Sequence, residues 1–331
     1  MKKLIIGIII SAGFIYLSFR NVDISEVAAR LSNIDYKYIF FSGMLTLWLL
    51  YLRSIRWAII LSPIRKIPQK ELFPISCVGL MASILFPMRI GEIIRPYLLS
   101  LNGKVSLSPA LATIFIERTI DLVNISIVAI MVFMFTDLPP NVMVGAWAFI
   151  AVTLILISFI IFYCFKADTF LRLINPILRK LSSKYAKRIN SILITFKEGF
   201  SFIKSPSHFI ITVLLSFVIW AGSMVSIYCM LLSVHIKTHF IAALVVYVIT
   251  SIGISLPTAP GFLGNLQYSS ILALSIYHIS KEDAIAFSFI YQTVGVGLVI
   301  AVGFIFLPTV HISFKKLKDK LFGSSSITNQ D

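Results

Sequence analysis

Two arginines and a glutamate lie within seven residues of one another in a sequence that is otherwise mostly apolar. Arg89, Glu92 and Arg95 follow at intervals of three, so on a helix Glu92 can neutralise one arginine but not both. The stretch therefore keeps a positive charge, which suits an anionic headgroup. The alternative is a tight cytoplasmic turn whose arginines follow the positive-inside rule. We favour the binding interpretation, because such a turn needs neither Glu92 nor the two flanking prolines.

A second group of charges is spaced for one face of a helix. Glu117 and Asp121 are one turn apart, and Arg118 can pair with Asp121. By helical rise these residues lie roughly 15–21 Å along a predicted span, where an isolated charge costs roughly 2.5–3.5 kcal/mol and needs a partner. We expect Glu117 and Asp121 to be countercharges for Arg89 or Arg95. A purely structural salt-bridge cluster is the alternative.

A third basic pair, Arg53 and Arg56, shares one face of another predicted span and lies towards its cytoplasmic end. Long basic side chains near a helix end commonly extend to the membrane surface, and this snorkelling is the favoured interpretation over headgroup binding. Trp57 fits the aromatic belt at a membrane interface.

A stretch with two prolines and two glycines, residues 256–267, predicts a broken helix. Pro257 and Pro260 cannot both lie inside a regular helix, because proline lacks an N–H group and clashes with the preceding turn. Gly261 and Gly264 permit tight backbone. Such backbone persists at membrane depth only when it is buried in protein or lines a watery cavity. A helix starting near Gly261 would point its N–H groups at that cavity, where anions bind. The alternative is an extracellular loop.

Two sets of candidate site residues follow from these patterns. The candidate headgroup-binding residues are Arg53, Arg56, Arg89, Glu92, Arg95, Tyr97, Glu117, Arg118 and Asp121. The residues that would shape the hairpin backbones are Pro87, Gly91, Pro257, Pro260, Gly261, Gly264, Asn265 and Gln267.

The composition requires that a membrane surround these residues. Of the 331 residues, 58% are hydrophobic and 13% are charged, whereas a soluble domain has about 25% charged residues. The apolar runs are long and lack the alternation of a β-barrel. The sequence therefore predicts an all-α integral membrane protein. The apolar segments are 4–19, 37–62, 72–88, 107–135, 142–165, 208–233, 240–256 and 284–310, with shorter stretches at 90–101 and 262–277.

The loop charges predict the orientation. Residues 166–207 hold nine Lys and Arg side chains and should be cytoplasmic, as should both termini, whereas 136–141 contain no basic residue and should be outside. These assignments agree only if 72–101 and 240–277 enter the membrane and return to the same side. The prediction is therefore six full transmembrane helices plus two oppositely oriented re-entrant helical hairpins in the cell membrane.

Residues 1–138 and 139–312 share this order of elements in opposite orientation. Such an inverted-topology repeat is typical of transporters, whose sites lie near the midplane where broken segments meet. We expect one polytopic membrane domain, 1–312, followed at 313–331 by a basic and then disordered cytoplasmic tail.

Other functional classes are disfavoured. The net charge of +15 lies in loops beside spans, which favours contact with anionic lipid over nucleic acid. His235 and His239 have the spacing of metal ligands but no neighbouring carboxylate, so no metal and no cofactor is expected. No catalytic motif is evident, and we expect no enzyme activity.

Four motifs resemble one known family when they are taken in order. Arg-x-x-Arg-Trp at 53–57, Pro-x-Arg-x-Gly-Glu-x-x-Arg at 87–95, Glu-Arg-x-x-Asp at 117–121 and Pro-x-x-Pro-Gly at 257–261 are similar to the lysylphosphatidylglycerol synthase transmembrane region. This is the flippase-like membrane domain of the multiple peptide resistance factor and its stand-alone relatives. The family typically has a second glycine after Pro-Gly, where this chain has Phe262.

The resemblance implies translocation of a phospholipid or a polyprenyl-linked lipid between leaflets, with the headgroup held by intramembrane charges. In the resistance factor a separate cytosolic domain transfers lysine to the lipid, and we expect no such domain within these 331 residues. Two alternatives stay open: a membrane-embedded transferase acting on a lipid carrier, and a non-catalytic partner of a lipid-modifying enzyme. The expected partners are anionic or phosphate-containing membrane lipids. A lipid-modifying enzyme and a second copy of the chain are further candidate partners.

Overall fold

The computed structural model of the chain describes residues 2–86, 91–101, 103–136, 140–165, 197–256 and 259–310. These residues form helices joined by short connections and contain no strand. The prediction of an all-helical protein is therefore confirmed for this part of the chain. Predictions that concern Pro87, Arg89, Pro257 and the tail 313–331 lie outside the described residues, as does most of the basic loop 166–207.

The first part of the chain, up to residue 136, forms six α-helices. They are α1 (Lys2–Phe19), α2 (Ile24–Ser32), α3 (Tyr36–Leu61), α4 (Gln69–Leu85), α5 (Ile94–Leu101) and α6 (Leu107–Phe135). We call α4 and α5 with their connection the first hairpin.

In the second part, the described residues form five α-helices and three 3-10 turns. They are α7 (Pro140–Phe165), α8 (Pro206–Ser233), α9 (Phe240–Ile254), α10 (Asn265–Ser275) and α11 (Lys281–Phe306), and α11 contains a π-helical turn at Tyr291–Gly297. The 3-10 turns are Lys197–Lys204, Pro260–Phe262 and Pro308–Val310. We call α9, the turn Pro260–Phe262 and α10 the second hairpin.

Within the described ranges, five helices are long and apolar enough to cross a membrane: α3, α6, α7 within Val142–Tyr163, α8 and α11. They correspond to five of the six predicted spans. The remaining predicted span, 4–19, falls on α1, which has 18 residues. The arms of the hairpins have 17, 8, 15 and 11 residues, fewer than the roughly 20 that a crossing needs.

Helices α3 and α8 pack closely against each other through small residues. Ser226 Oγ donates to the Ser42 carbonyl at 3.3 Å, and a Cβ atom on Gly222 would lie 2.7 Å from Leu49 Cδ2. Small side chains let two backbones approach closely, which is how helices associate where no hydrophobic effect drives them together.

Several other contacts also cross between the two parts of the chain. Helix α4 packs on the last turns of α11, and α9 packs on α6. Helix α2 packs on the start of α11, where Arg30 Nε lies 2.8 Å from Asp283 Oδ1, and the turn Lys197–Lys204 packs on α6.

Asp23 caps α2 by accepting hydrogen bonds from the Ser25 hydroxyl and N–H, which lower the pKa of the Asp23 carboxyl group.

Candidate functional site

A fully buried guanidinium joins α3 to α6. Arg56 Nη1 donates to Asp121 Oδ1 at 2.7 Å and Nη2 donates to Glu117 Oε1 at 3.0 Å. Nη1 also donates to Ser216 Oγ of α8 at 3.0 Å, and the exposed fraction of Arg56 is 0%. The snorkelling interpretation is therefore wrong for Arg56. Two carboxylates in the interior compensate its charge, so the side chain does not need the membrane surface.

The first hairpin contributes a second buried arginine to the same carboxylate. Arg95 Nη1 lies 3.2 and 3.3 Å from the two Glu117 oxygens. One of the predicted countercharge pairings, that of Glu117 with Arg95, is therefore confirmed, whereas Asp121 pairs with Arg56 and Arg118 instead. The Arg95 guanidinium also lies over the Trp57 ring, with Cζ 4.4 Å from the ring centroid. Trp57 is completely buried and donates from Nε1 to Thr113 Oγ1 at 3.1 Å. Its prediction as an interface residue is wrong, because Arg95 and Thr113 require it in the interior.

Close approach of the two arms of the first hairpin depends on Gly79. A Cβ atom there would lie 1.9 Å from Arg95 Cγ and 2.8 Å from Cδ. Only a residue without a side chain lets the stem of Arg95 cross α4 on its way to Glu117. The sequence patterns did not single out Gly79, since a lone glycine in an apolar helix gives no sign of what crosses it.

A third arginine lies at the edge of this cluster. Arg118 Nη1 is 3.2 Å from Asp121 Oδ2, the pairing that their spacing predicts, and Nη2 is 3.2 Å from Glu117 Oε1. Arg118 Nε is 3.7 Å from Glu92 Oε2, so Glu92 contacts a residue of α6 as well as lying in the first hairpin. The exposed fractions are 26% for the Arg118 side chain and 22% for that of Glu92, whereas Glu117 is buried.

The charges of the described cluster do not cancel. Four arginines face three carboxylates, which leaves one positive charge: Arg53, Arg56, Arg95 and Arg118 against Glu92, Glu117 and Asp121. Among the residues that the structure describes, Arg53 forms no ion pair within 4 Å. Its Cζ atom lies 4.7 Å from the centroid of the Trp220 ring, and Trp220 Nε1 donates to Asp121 Oδ1 at 3.2 Å.

A cavity of about 400 Å³ lies beside this cluster. Both hairpins line it, the first through Leu80, Ser83, Ile84 and Glu92 and the second through Tyr247, Ser251, Ile254, Ser255 and Phe262. Arg53, Arg118 and Asp121 bring charge to its wall, and Trp220, Tyr291 and Phe149 bring aromatic surface. A cavity of this size falls in the range of small-molecule sites, and it combines apolar walls with a few polar groups as such sites do.

The cavity divides the predicted headgroup residues into two groups. Arg53, Glu92, Arg118 and Asp121 line it. Arg56, Arg95 and Glu117 lie behind its wall. Arg56 pairs with Asp121 of the lining and Glu117 pairs with Arg118 of the lining, whereas Arg95 pairs with Glu117. Tyr97 of α5 is half-buried and is not among the lining residues.

The tip of the second hairpin is built from left-handed backbone. Gly261, Phe262 and Gly264 have φ values of 75°, 61° and 80°. Gln292 of the π-helical turn donates from Nε2 to the Gly261 carbonyl, and Gln267 Oε1 accepts from the Gly264 N–H at 2.8 Å. Helix α10 therefore begins at Asn265, four residues after the predicted start near Gly261.

The remaining predicted backbone residues support the two hairpins. Asn265 donates from Nδ2 to the Gly253 carbonyl of α9 and accepts from Ser269 Oγ at 3.0 Å. Pro260 starts the 3-10 turn at the tip. In the first hairpin, a Cβ atom on Gly91 would lie 2.1 Å from the backbone carbon of Ala82, so the two arms touch there.

The described residues contain no group of three or more His, Cys, Asp and Glu side chains that could hold a metal ion. His235 Nε2 lies 2.8 Å from the Asn33 carbonyl. This contact gives one of the two candidate metal-ligating histidines a structural role.

The sequence patterns also missed Trp220, Ser216 and Tyr247, which the geometry places in the site. Trp220 and Ser216 both contact the arginine–carboxylate cluster from α8. Tyr247 lines the cavity with its Oη atom buried. Each of them lies in a continuous apolar run, where only its polar atom distinguishes it from neighbours that face lipid.

The described residues form a helical, multi-pass membrane protein with a charged cavity between two hairpins. The chain belongs to the family described as the lysylphosphatidylglycerol synthase TM region, whose sequence model matches residues 4–303. The resemblance seen in the ordered motifs is therefore confirmed.

Two relatives extend over most of the chain. One is a UPF0104 membrane protein of Methanothermobacter thermautotrophicus, 21% identical over 334 residues that cover 96% of this chain and 98% of that protein. The other is a UPF0104 membrane protein of Methanocaldococcus jannaschii, 25% identical over 236 residues that cover 70% of this chain and 95% of that protein. No solved structure matches the chain.

Proposed function

We propose that this protein moves a lipid with an anionic, phosphate-containing headgroup between the leaflets of the cell membrane. The observation that carries the proposal is the cavity, which both hairpins line and to which Arg53, Glu92, Arg118 and Asp121 bring charge. A lipid headgroup is polar and its acyl chains are not, so a transporter needs a polar compartment within the bilayer while the chains remain in lipid.

The charge balance favours an anionic ligand. Arg118 is held by Asp121, Glu117 and Glu92, whereas Arg53 lines the cavity with only the Trp220 ring against it among the described residues. An arginine with free donors is suited to a phosphate group, because its guanidinium can donate two parallel hydrogen bonds. Arg53 is accordingly the anchor for the phosphate in this proposal.

The proposed transport uses an inverted repeat of 1–138 and 139–312, with both hairpins re-entrant and both termini cytoplasmic. Two pairs of contacts support it. Each first arm, α4 or α9, packs on the last long helix of the other half, and each short amphipathic element, α2 or Lys197–Lys204, does the same. A site enclosed by two such halves can be exposed to either leaflet when the halves rock against each other.

We place transport before lipid modification because the carboxylates are already engaged. Glu117 and Asp121 each contact two or more arginines, and a carboxylate that balances buried positive charge is poorly placed to accept a proton from a substrate. If the protein were a transferase, mass spectrometry of lipids incubated with it and candidate donors would reveal a new headgroup.

The test is reconstitution in vesicles that contain phosphatidylglycerol with a fluorescent acyl chain, followed by dithionite reduction of the outer leaflet. Wild-type protein should expose the inner pool faster than protein-free vesicles do. Arg53→Ala should slow the movement at least about tenfold, the effect of one lost charge-assisted contact of roughly 1.5–3 kcal/mol. Lys237→Ala is the matched control, since it removes an exposed positive charge in the connection before α9. Equal rates for wild-type and empty vesicles would contradict the proposal.

A further inference from the structure

Phe262 is a bulky residue in a conformation that favours glycine. Its φ of 61° lies in the left-handed region, where a Cβ atom crowds the backbone. Gly261 before it and Gly264 after it have similar φ values and carry no such strain. The turn could therefore be made entirely without a side chain at position 262.

The backbone around Phe262 is fixed from several sides. Its N–H donates to the Ala259 carbonyl at 3.2 Å, and the Ala259 N–H donates to Ser11 Oγ of α1 at 2.7 Å. Gln292 and Gln267 hold the neighbouring glycines. Strained backbone persists when its surroundings determine it in this way, and it is concentrated at functional sites.

The side chain of Phe262 points to the reason for the strain. It is half-buried and lines the cavity, and the turn Pro260–Phe262 packs on α4 of the first hairpin. The ring thus occupies space in the wall where the two hairpins meet. The neighbouring Leu263 is exposed and does not line the cavity.

We propose that Phe262 sets the upper size of the headgroup that the cavity accepts. With the ring in place the cavity of about 400 Å³ is near the lower end of the range for ligand sites, about 300–1,000 Å³. The Phe262 ring therefore favours a phosphate esterified to a small alcohol such as glycerol over a phosphate esterified to a six-membered ring. This inference rests on the proposed function, and it adds a residue that determines specificity.

Phosphatidylglycerol and phosphatidylinositol are the test pair, because both carry one negative phosphate and they differ in headgroup size. Both are supplied with the same fluorescent acyl chain, and the ratio of their transport rates is measured for each variant. Phe262→Ala removes the ring and keeps a Cβ atom, whereas Phe262→Gly removes both. We expect both variants to raise the rate for phosphatidylinositol relative to phosphatidylglycerol by about tenfold, at the lower end of what a hydrophobic pocket discriminates.

Two further variants distinguish the position of the Phe262 ring from the total volume of the cavity. Phe149→Ala removes a ring that also lines the cavity but lies on the regular helix α7, and Leu263→Ala changes the same turn outside the cavity. Leu263→Ala should leave the ratio within about twofold of wild type, and Phe149→Ala should raise it clearly less than Phe262→Ala does. An equal rise in Phe149→Ala would show that total volume sets the limit and would overturn the role of Phe262.

Thermal unfolding tests the strain independently of transport. Phe262→Gly should melt about 2–4 °C above Phe262→Ala, because glycine adopts the left-handed conformation freely. A melting temperature of Phe262→Gly at or below that of Phe262→Ala would contradict the claim that the backbone at position 262 is strained.

Lipid binding separates failure of this inference from failure of the proposed function. Native mass spectrometry of the purified protein with equal amounts of the two lipids gives a binding ratio that needs no transport. If wild-type protein moves neither lipid but both Phe262 variants retain more phosphatidylinositol, the transport proposal falls and the size limit stands. If neither the binding ratio nor the transport ratio changes, the size limit is wrong.

Discussion

The two hairpins bring polar atoms into the interior by different means. The first carries a charge, Arg95, which is compensated by Glu117 of α6 and supported by Trp57 of α3. The second carries amides. Asn265 donates to the Gly253 carbonyl within the same hairpin, and Gln267 accepts from Gly264. The first hairpin therefore depends on other helices for its electrostatic balance, whereas the second satisfies much of its own backbone.

The hairpins nevertheless share one device. In each, a glycine of the first arm lies beneath a polar side chain of the second arm, Gly79 beneath Arg95 and Gly253 beneath Asn265 and Ser269. The glycine in each first arm lets the two arms approach closely. The difference in charge determines which other helices each hairpin contacts through its polar groups. Changes to the ion pairs should therefore affect the first hairpin more than the second.

The largest effect is expected when the charge of the first hairpin is removed. Arg95→Met leaves Glu117 buried with less compensation, and loss of one partner from a buried ion pair costs about 3–5 kcal/mol of unfolding free energy. Unfolding in a denaturing detergent would measure it. The double variant with Glu117→Gln should lose less than the sum of the two single variants, because each single variant already removes the contact between Arg95 and Glu117. A loss below about 1 kcal/mol for Arg95→Met alone would contradict the comparison.

Replacing the glycine of each first arm should also destabilise the first hairpin more than the second. Gly79→Ala places a Cβ atom against the stem of Arg95, and overpacking of this kind costs about 1–3 kcal/mol. Gly253→Ala meets the ends of Ser269 and Asn265, at 2.3 and 2.6 Å, and these can turn away more easily. Melting temperatures in one detergent should therefore fall further for Gly79→Ala. Equal losses would show that the hairpins tolerate crowding alike.

Loss of an amide should stay local to the second hairpin. Asn265→Ala leaves the Gly253 carbonyl without this donor, at a cost of about 1–2 kcal/mol. Because Asn265 and Arg95 share no partner among the described contacts, the two losses should add within about 0.5 kcal/mol. Larger coupling between Asn265→Ala and Arg95→Met in detergent unfolding would show that the hairpins are linked energetically.

The smallest effect is expected at the aromatic support of Arg95. Trp57→Phe keeps a ring and loses the hydrogen bond from Nε1 to Thr113, which is worth about 0.5–1.5 kcal/mol. Thr113→Val removes the same bond from the other side. The double variant should lose little more than either single variant, as a thermal-shift measurement would show. Additive losses would mean that the two residues act separately.

The sequence predicted the parts of this arrangement that follow from charge and hydropathy. Five long apolar helices lie where five of the predicted spans lie. The pairing of Arg95 with Glu117 followed from the need to compensate charge at membrane depth, and that of Arg118 with Asp121 from helical spacing.

The parts that could not be predicted depend on tertiary packing. Arg56 lies three residues from Arg53, yet Arg56 is sealed between two carboxylates while Arg53 faces the cavity. Spacing alone cannot distinguish them, because the difference arises from how α3 is rotated against α6 and α8. Trp57 was misassigned for the same reason. The strained backbone of Phe262 was equally hidden, since a phenylalanine in an apolar sequence gives no indication of its φ angle.

The π-helical turn at Tyr291–Gly297 gives α11 two rotational phases. A π turn contains one residue more than an α turn, and one residue advances an α-helix by about 100°. The segment before it and the segment after it therefore present faces that an unbroken helix would not align. Gln292 reaches the Gly261 carbonyl of the second hairpin, while Gly303 lies against Met81 of the first. One inserted residue thus allows a single helix to contact both hairpins, and deletion of one residue from the turn would sacrifice one of the two contacts.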